Sequence, residues 1–117
     1  LEPVVRFYRI QPADAIQVRG WQGHVRETKW FHCIHGGFII NTVRVENFSS
    51  IHTGIRPEVY TLKADKPEVL MVPGGMCTAF RALEENSEVL VFSDRSLEAS
   101  AADDYRFPID TWPFRDK

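Results

Sequence analysis

Little in this chain would hold it together from outside its own core. Its two cysteines, Cys33 and Cys77, lie far apart, too few for the framework of a disulfide-dense secreted domain. No charged-then-apolar signal segment opens the sequence at Leu1, so both are read as reduced thiols in a cytoplasmic protein. Long hydrophobic runs are missing too. Val69-Leu-Met-Val72 and Val89-Leu-Val-Phe92 are strand-length, far short of the roughly eighteen residues a membrane span needs, and no membrane partner is expected. A one-sided charge is absent: the formal net charge is -2 with acids and bases interspersed. No overall field draws a polyanion, which argues against nucleic acid as a partner. Repeats, linkers and low-complexity tracts are absent as well. The 117 residues are read as one domain, 1–117, long enough to bury roughly two thirds of the surface of the unfolded chain.

Helical periodicity is scarce, and what remains is β-like. Residues 4–10 are β-branched and aromatic up to Pro12, residues 15–19 form a short second strand, and Gly20 to Gly23 mark a loop. Residues 28–35 alternate strictly and stop at Gly36-Gly37, a pair suited to positive φ in a tight turn; residues 38–45 then follow as a hairpin partner. Residues 47–57 are a polar loop of a length that often carries a function, or a disordered connection. Strands are expected at 58–63 and 69–72, and 77–83 with 87–92 make another hairpin around Glu84-Glu-Asn86. Only residues 96–104 look helical, with Ser96 as N-cap and Glu98 in the first turn; residues 105–117 pack as an extended arm. Short strands about ten residues apart, separated by Gly and Pro turns, predict an all-β closed sandwich or barrel.

The densest chemistry lies in Arg19-Gly-Trp-Gln-Gly-His24 and the strand after it. In that strand Lys29, Phe31 and Cys33 share one face and Trp30, His32 and Ile34 the other. Lys29 therefore points inward among apolar neighbours. A buried ammonium loses hydration, so it must be paired or must line a polar cavity. It is either an active-site cation or half of a buried ion pair with Glu27 or Glu88. His32 and His35, oddly spaced on a strand, are read as structural, and Trp21 and Trp30 as core or as stacking platforms.

The pattern resembles a known family. Gly36 seven residues after Lys29, and Pro73-x-Gly75 before a strand, are similar to the double glycine-turn motif of the cupin jelly roll, a double-stranded β-helix, here with one short C-terminal helix. Arg19-Gly-Trp-Gln-Gly-His24, Glu27-x-Lys-Trp-Phe31, Phe80-x-Ala-Leu-Glu-Glu85 and Asp103-Asp-Tyr-Arg-Phe107 further resemble the RmlC-like branch. That branch holds dTDP-4-dehydrorhamnose 3,5-epimerase and the dTDP-sugar 3,4-ketoisomerases. Metal-binding cupins are similar in outline, but Gln22, His24, Lys29 and Thr78 stand at their ligand positions, leaving one good ligand. No metal and no other cofactor is expected.

What the resemblance implies is isomerisation of a dTDP-4-keto-6-deoxyhexose in surface polysaccharide assembly. His24 would be the base that removes a proton beside the keto group, Lys29 the enolate stabiliser and Arg19 the diphosphate anchor, with Gln22, Thr78 and Phe80 on the substrate wall. Gln22 and Thr78 replace histidines of the epimerases, and no tyrosine between Val91 and Leu97 supplies their proton donor. Tyr105 is the tail residue placed to act as a substitute acid or simply to pack. The alternative is a cupin that binds a sugar nucleotide, or a partner subunit, without catalysis. A homodimer is expected, since the outer face with Trp30 and Ile34 would otherwise leave apolar surface in water.

Overall fold

Side chains of alternating character pair the short segments into two antiparallel sheets, which face each other in the computed structural model, describing residues 3–117. The strands are β1 (Arg6–Ile10), β2 (Arg19–His24), β3 (Lys29–His35), β4 (Gly37–Arg44), β5 (Glu58–Lys63), β6 (Leu70–Val72), β7 (Met76–Ala82), β8 (Glu88–Ser93) and β9 (Tyr105–Arg106), with helix α1 (Leu97–Ala101) before the last. One sheet has the order β1-β8-β3-β6, the other β5-β4-β7-β2-β9. This is the all-β jelly roll with one short helix that the resemblance implies. No helix among the described residues is long and apolar enough to cross a membrane.

Two expected hairpins are instead crossings between sheets. Strand β3 pairs with β8 and β6, whereas β4, directly after it, pairs with β5 and β7. The chain turns at Gly36 with φ of 65° and changes layer. The β7–β8 turn makes the same jump, and the two turns brace each other. The Ser87 hydroxyl accepts from the Gly37 amide at 3.2 Å and donates to the Glu84 carbonyl at 2.8 Å. A Cβ on Gly36 would sit 2.2 Å from Ser87 Oγ, so glycine is required there for space as well as for φ. Turn composition alone does not tell a hairpin from a crossing, because both need positive φ.

Residues 15–19 are not a strand up to Arg19. Asp14 Oδ1 accepts from the amides of Ile16 at 2.9 Å and Gln17 at 2.8 Å, an Asx turn that takes the groups a ladder would use. The segment 20–23 is strand instead of loop. Its glycines serve close packing: a Cβ on Gly20 would lie 2.7 Å from Ala79 Cα and one on Gly23 2.5 Å from Cys77 Sγ. Helix α1 has the expected cap, with Ser96 accepting from the Ala99 amide, but ends at Ala102, because Asp103 is recruited elsewhere and Tyr105 pairs with Gly23.

The core has two layers. Phe31, Cys33, Phe38, Ile40, Leu62, Val72 and Val91 fill the space between the sheets at one end. The second layer lies outside the five-stranded sheet, where Trp21, Val43, Cys77 and Ala79 are covered by Trp112, with Phe48, Ile51 and Phe114 beside it. The arm after β9 is thus a lid on the sheet's back. Trp112 Nε1 donates to the His52 carbonyl at 2.8 Å, and its ring meets Trp21 edge-on with centroids 5.3 Å apart. Trp21 and Tyr105 are packing residues, the latter against Phe48 at 4.8 Å. Both cysteines are free and buried. Trp112→Ala should cost about 3–5 kcal/mol in urea unfolding; a loss below about 1 kcal/mol would mean the arm is not part of the cooperative unit.

Candidate functional site

The inward face of β1 carries Arg6, Tyr8 and Ile10. Strand pairing places Arg6, Ser93 and Lys29 in one cross-strand row, with Tyr8, Val91 and Phe31 in the next. On the facing sheet, Glu58, Thr42, Thr78, Gln22 and Arg106 form a row with one residue from each of its five strands. Arg19 lies opposite Phe80, one inward row further on. The polar residues of the two inner faces therefore meet where β1 approaches β2 and β9, beyond the end of the hydrocarbon filling.

Two adjoining cavities open along that seam. One, of about 360 Å³, is lined by Tyr8, Arg19, Gln22, Thr78, Phe80 and Arg106 among others. The second, of about 240 Å³, shares Tyr8, Gln22 and Arg106 and adds Arg6, Lys29 and Asp104. The three expected wall residues, Gln22, Thr78 and Phe80, line the first together with Arg19, the expected diphosphate anchor, and Lys29 lines the second. Lys29 is 8 % exposed and points inward as its alternation requires. Its Nζ lies 5.8 Å from the centre of the Tyr8 ring.

The expected ion-pair partners of Lys29 are engaged elsewhere. Glu27 pairs with Arg6 at 2.9 Å and Glu88 with Arg9 at 2.8 Å. Asp104 is held by Arg106 and by Gln22, whose amide donates at 2.9 Å. Among the described residues, Lys29 and Arg19 are the lining cations with no carboxylate within 4.0 Å. The Arg19 guanidinium rests instead over the Phe80 ring, 5.9 Å from its centre. The seam thus keeps positive charge available for an anion.

His24, two residues beyond Gln22 on β2, is 5 % exposed and lines neither cavity. Its Nδ1 is 2.6 Å from the Asp103 carbonyl oxygen and 3.3 Å from Glu27 Oε1. A carbonyl can only accept, so Nδ1 carries the hydrogen and donates it. Nε2 keeps its lone pair and has no hydrogen-bond partner. Burial first, and then the Lys29 ammonium, hold the imidazole below its usual value, outweighing Glu27 and the Asp103 carbonyl. The ring is a neutral base with one nitrogen pinned and the other unengaged.

Arg6 and Tyr8 were not legible as site residues, Glu27 was legible only as an ion-pair candidate for Lys29, and Asp103 only as part of a tail motif. Glu27 is 2 % exposed and accepts from Arg6, Ser93 and Ser100. Burial alone would raise its carboxyl, but the Ser100 and Ser93 hydroxyls, then His24 and Lys29, hold it below the ordinary range. Asp103 takes the amides of Val25, Arg26 and Glu27 on its carboxylate at 2.8–3.2 Å, which explains why the helix stops before it. His32 and His35 are structural, tied to the Glu68 and Asn86 carbonyls. Among the described residues, no three His, Cys, Asp or Glu side chains come together to hold a metal ion.

Because Glu27's carboxyl is depressed from 4.5, its stabilisation is present above that pH and is lost as pH falls toward the folded-state value. Glu27→Gln, which leaves Arg6 unpaired, should cost about 3 kcal/mol at neutral pH and flatten the fall in stability below pH 4.5, both read from urea titrations. An unchanged acid limb would show that other carboxylates set it.

No protein-family model and no curated protein matches the sequence, but solved structures do. dTDP-4-dehydrorhamnose 3,5-epimerase from Bacillus anthracis, with TDP and PPi bound, is 24% identical over 88% of this chain and 58% of its own, with a TM-score of 0.74. A 3'-monoepimerase from Streptomyces bikiniensis in complex with dTDP-quinovose is 18% identical over 92% and 54%, with a TM-score of 0.75. A 3,4-ketoisomerase from Helicobacter canadensis is 16% identical over 92% and 72%, with a TM-score of 0.71. The chain thus spans 58% and 54% of the two epimerases. With two antiparallel sheets and a polar cavity along one seam, the protein has the RmlC-like cupin fold.

Proposed function

We propose that the protein is an isomerase-type enzyme acting on a dTDP-4-keto-6-deoxyhexose, in surface polysaccharide assembly in the cytoplasm. The supporting observation is the seam cavity itself. Two cations without carboxylate partners, Arg19 and Lys29, line it together with the Tyr8 hydroxyl, beside a neutral histidine whose Nε2 is unengaged. Arg19 anchors the diphosphate through its forked donors. His24 takes the proton from the carbon next to the keto group, and the electron pair of that C–H bond moves onto the carbonyl oxygen. Lys29 stabilises the resulting enolate, and a proton returns to carbon. Tyr8, on the sheet opposite His24, supplies the hydroxyl proton in place of the tyrosine that this chain lacks between Val91 and Leu97.

The second reading is a sugar-nucleotide binder without turnover. It draws on a specific observation: His24 lies outside the cavity wall, and Gln22 and Thr78, the wall residues standing where the resemblance implies histidines, do not titrate. Incubation with a dTDP-4-keto-6-deoxyhexose in deuterated water separates the two. Deuterium entering C3 and C5 marks a 3,5-epimerase, C3 alone a ketoisomerase or monoepimerase, and bound substrate without deuterium the binder. Since His24 is depressed from 6.5, the exchange rate should fall only below that pH. His24→Asn should abolish exchange while leaving nucleotide binding; full exchange in that variant would remove His24 from the chemistry.

We also propose a homodimer formed through the four-stranded sheet. Its outer face carries Phe7, Phe92, Trp30 and Met71 in one cross-strand row, with Phe7 67 % and Met71 53 % exposed. An apolar row of four strands' width is costly to leave in water. Sedimentation equilibrium should give twice 13.5 kDa, and Trp30→Glu should give the monomer. A monomeric wild type at micromolar concentration overturns this.

A further inference from the structure

The sandwich has a second open seam, at the edges opposite β1 and β9, where the β6 edge approaches β5 and the end of β4. A cavity of about 360 Å³ lies there, within the range that holds small ligands. Its wall has the two parts of an amphiphile site. Leu70, Val72 and Met76 supply an apolar floor, and Arg44 and Arg56 stand at the rim. Among the described residues neither arginine has a carboxylate within 4.0 Å. The one carboxylate in the wall, Glu58, accepts from the Tyr60 hydroxyl at 2.7 Å, and two arginines against one carboxylate leave a positive excess.

Thr42 provides an independent indication. It is 3 % exposed, lines the cavity, and its Oγ1 makes no hydrogen bond of full geometry, its contact being a weak one to the Tyr60 hydroxyl that Glu58 already engages. An unsatisfied buried hydroxyl is costly and uncommon in a native fold. A valine would fill the same volume without that cost, so an under-satisfied hydroxyl at this place suits a partner that arrives with a ligand. We propose that this seam is a second binding site, for a small organic anion with an apolar body. The anionic head binds Arg44 and Arg56, an oxygen of the ligand meets the Thr42 hydroxyl, and the carbon portion lies on Leu70, Val72 and Met76. The site shares no lining residue with the cavities lined by Arg19 and Lys29 and does not depend on their function.

Hexanoate, with neutral hexanamide as its comparator, tests this by calorimetric or NMR titration of the full chain. Hexanoate should bind saturably and hexanamide at least about tenfold more weakly, the loss expected for one charge-assisted pair. The R44Q/R56Q double variant should lose at least about tenfold in hexanoate affinity, while Arg19→Gln should leave it unchanged. Thr42→Val should raise stability in urea and weaken hexanoate several-fold. The proposal fails if hexanoate does not saturate, if hexanamide binds equally well, if the double variant is unaffected, if Arg19→Gln removes the binding, or if Thr42→Val leaves affinity intact.

Discussion

A carboxylate sealed between two sheets must be compensated from every side, and Glu27 is the point where this chain meets that demand. Arg6 reaches it from β1, Ser93 from β8, Ser100 from α1 and His24 from β2. Each of these groups belongs to a different element, so satisfying one charge fixes the mutual placement of four. The cost of burying the ion is several kcal/mol, and a geometry that meets it with an ion pair and two hydroxyl hydrogen bonds is hard to rearrange. The consequence for chemistry is indirect. With Glu27 taken by Arg6, the ammonium of Lys29 is left facing the cavity without a fixed partner.

The same logic explains how much of the site the sequence disclosed. Lys29 was legible because alternation from Thr28 to His35 puts it with Phe31 and Cys33, and a cation among apolar residues on an inward face is a chemical anomaly. Arg6 and Tyr8 present the same anomaly on β1, yet that strand read simply as β-branched and aromatic. Arg19, Gln22, Thr78 and Phe80 line one cavity because adjacent β2 and β7 bring them into neighbouring rows. Asp103 could not be found from pattern alone. Its role is to satisfy the amides of residues 25–27, a partnership across nearly eighty positions of chain. Most of the strand inventory was readable from periodicity, but β2 and β9 were not, nor was which strands pair. Gly36 and Asn86 mark sharp turns equally well for a hairpin and for a change of layer.

Two-sided burial also separates what was legible from what was not. Strand β4 is buried at every position from Gly37 to Val43, since its inner face meets the four-stranded sheet and its outer face lies under the arm. Such a strand loses the alternation that marks a half-buried one. The covering residues Phe107, Trp112 and Phe114 come from the last part of the chain, so the second core layer exists only once the remainder is assembled. Asn41 shows the coupling: its side chain exchanges two hydrogen bonds with the backbone of Arg115, tying the centre of the sheet to the arm.

The two thiols fall on opposite sides of that sheet. Cys77 lies beneath the arm, where burial pushes its thiol up to about 12; Cys33 sits between the sheets, raised by burial as well. Alkylation needs the thiolate and access to it, so neither residue reacts while its layer is closed. Iodoacetamide uptake at each position therefore clocks a different opening event: lifting of the arm for one, parting of the sandwich for the other. The molecule carries its own pair of probes for distinguishing partial detachment from global unfolding, with no added label required.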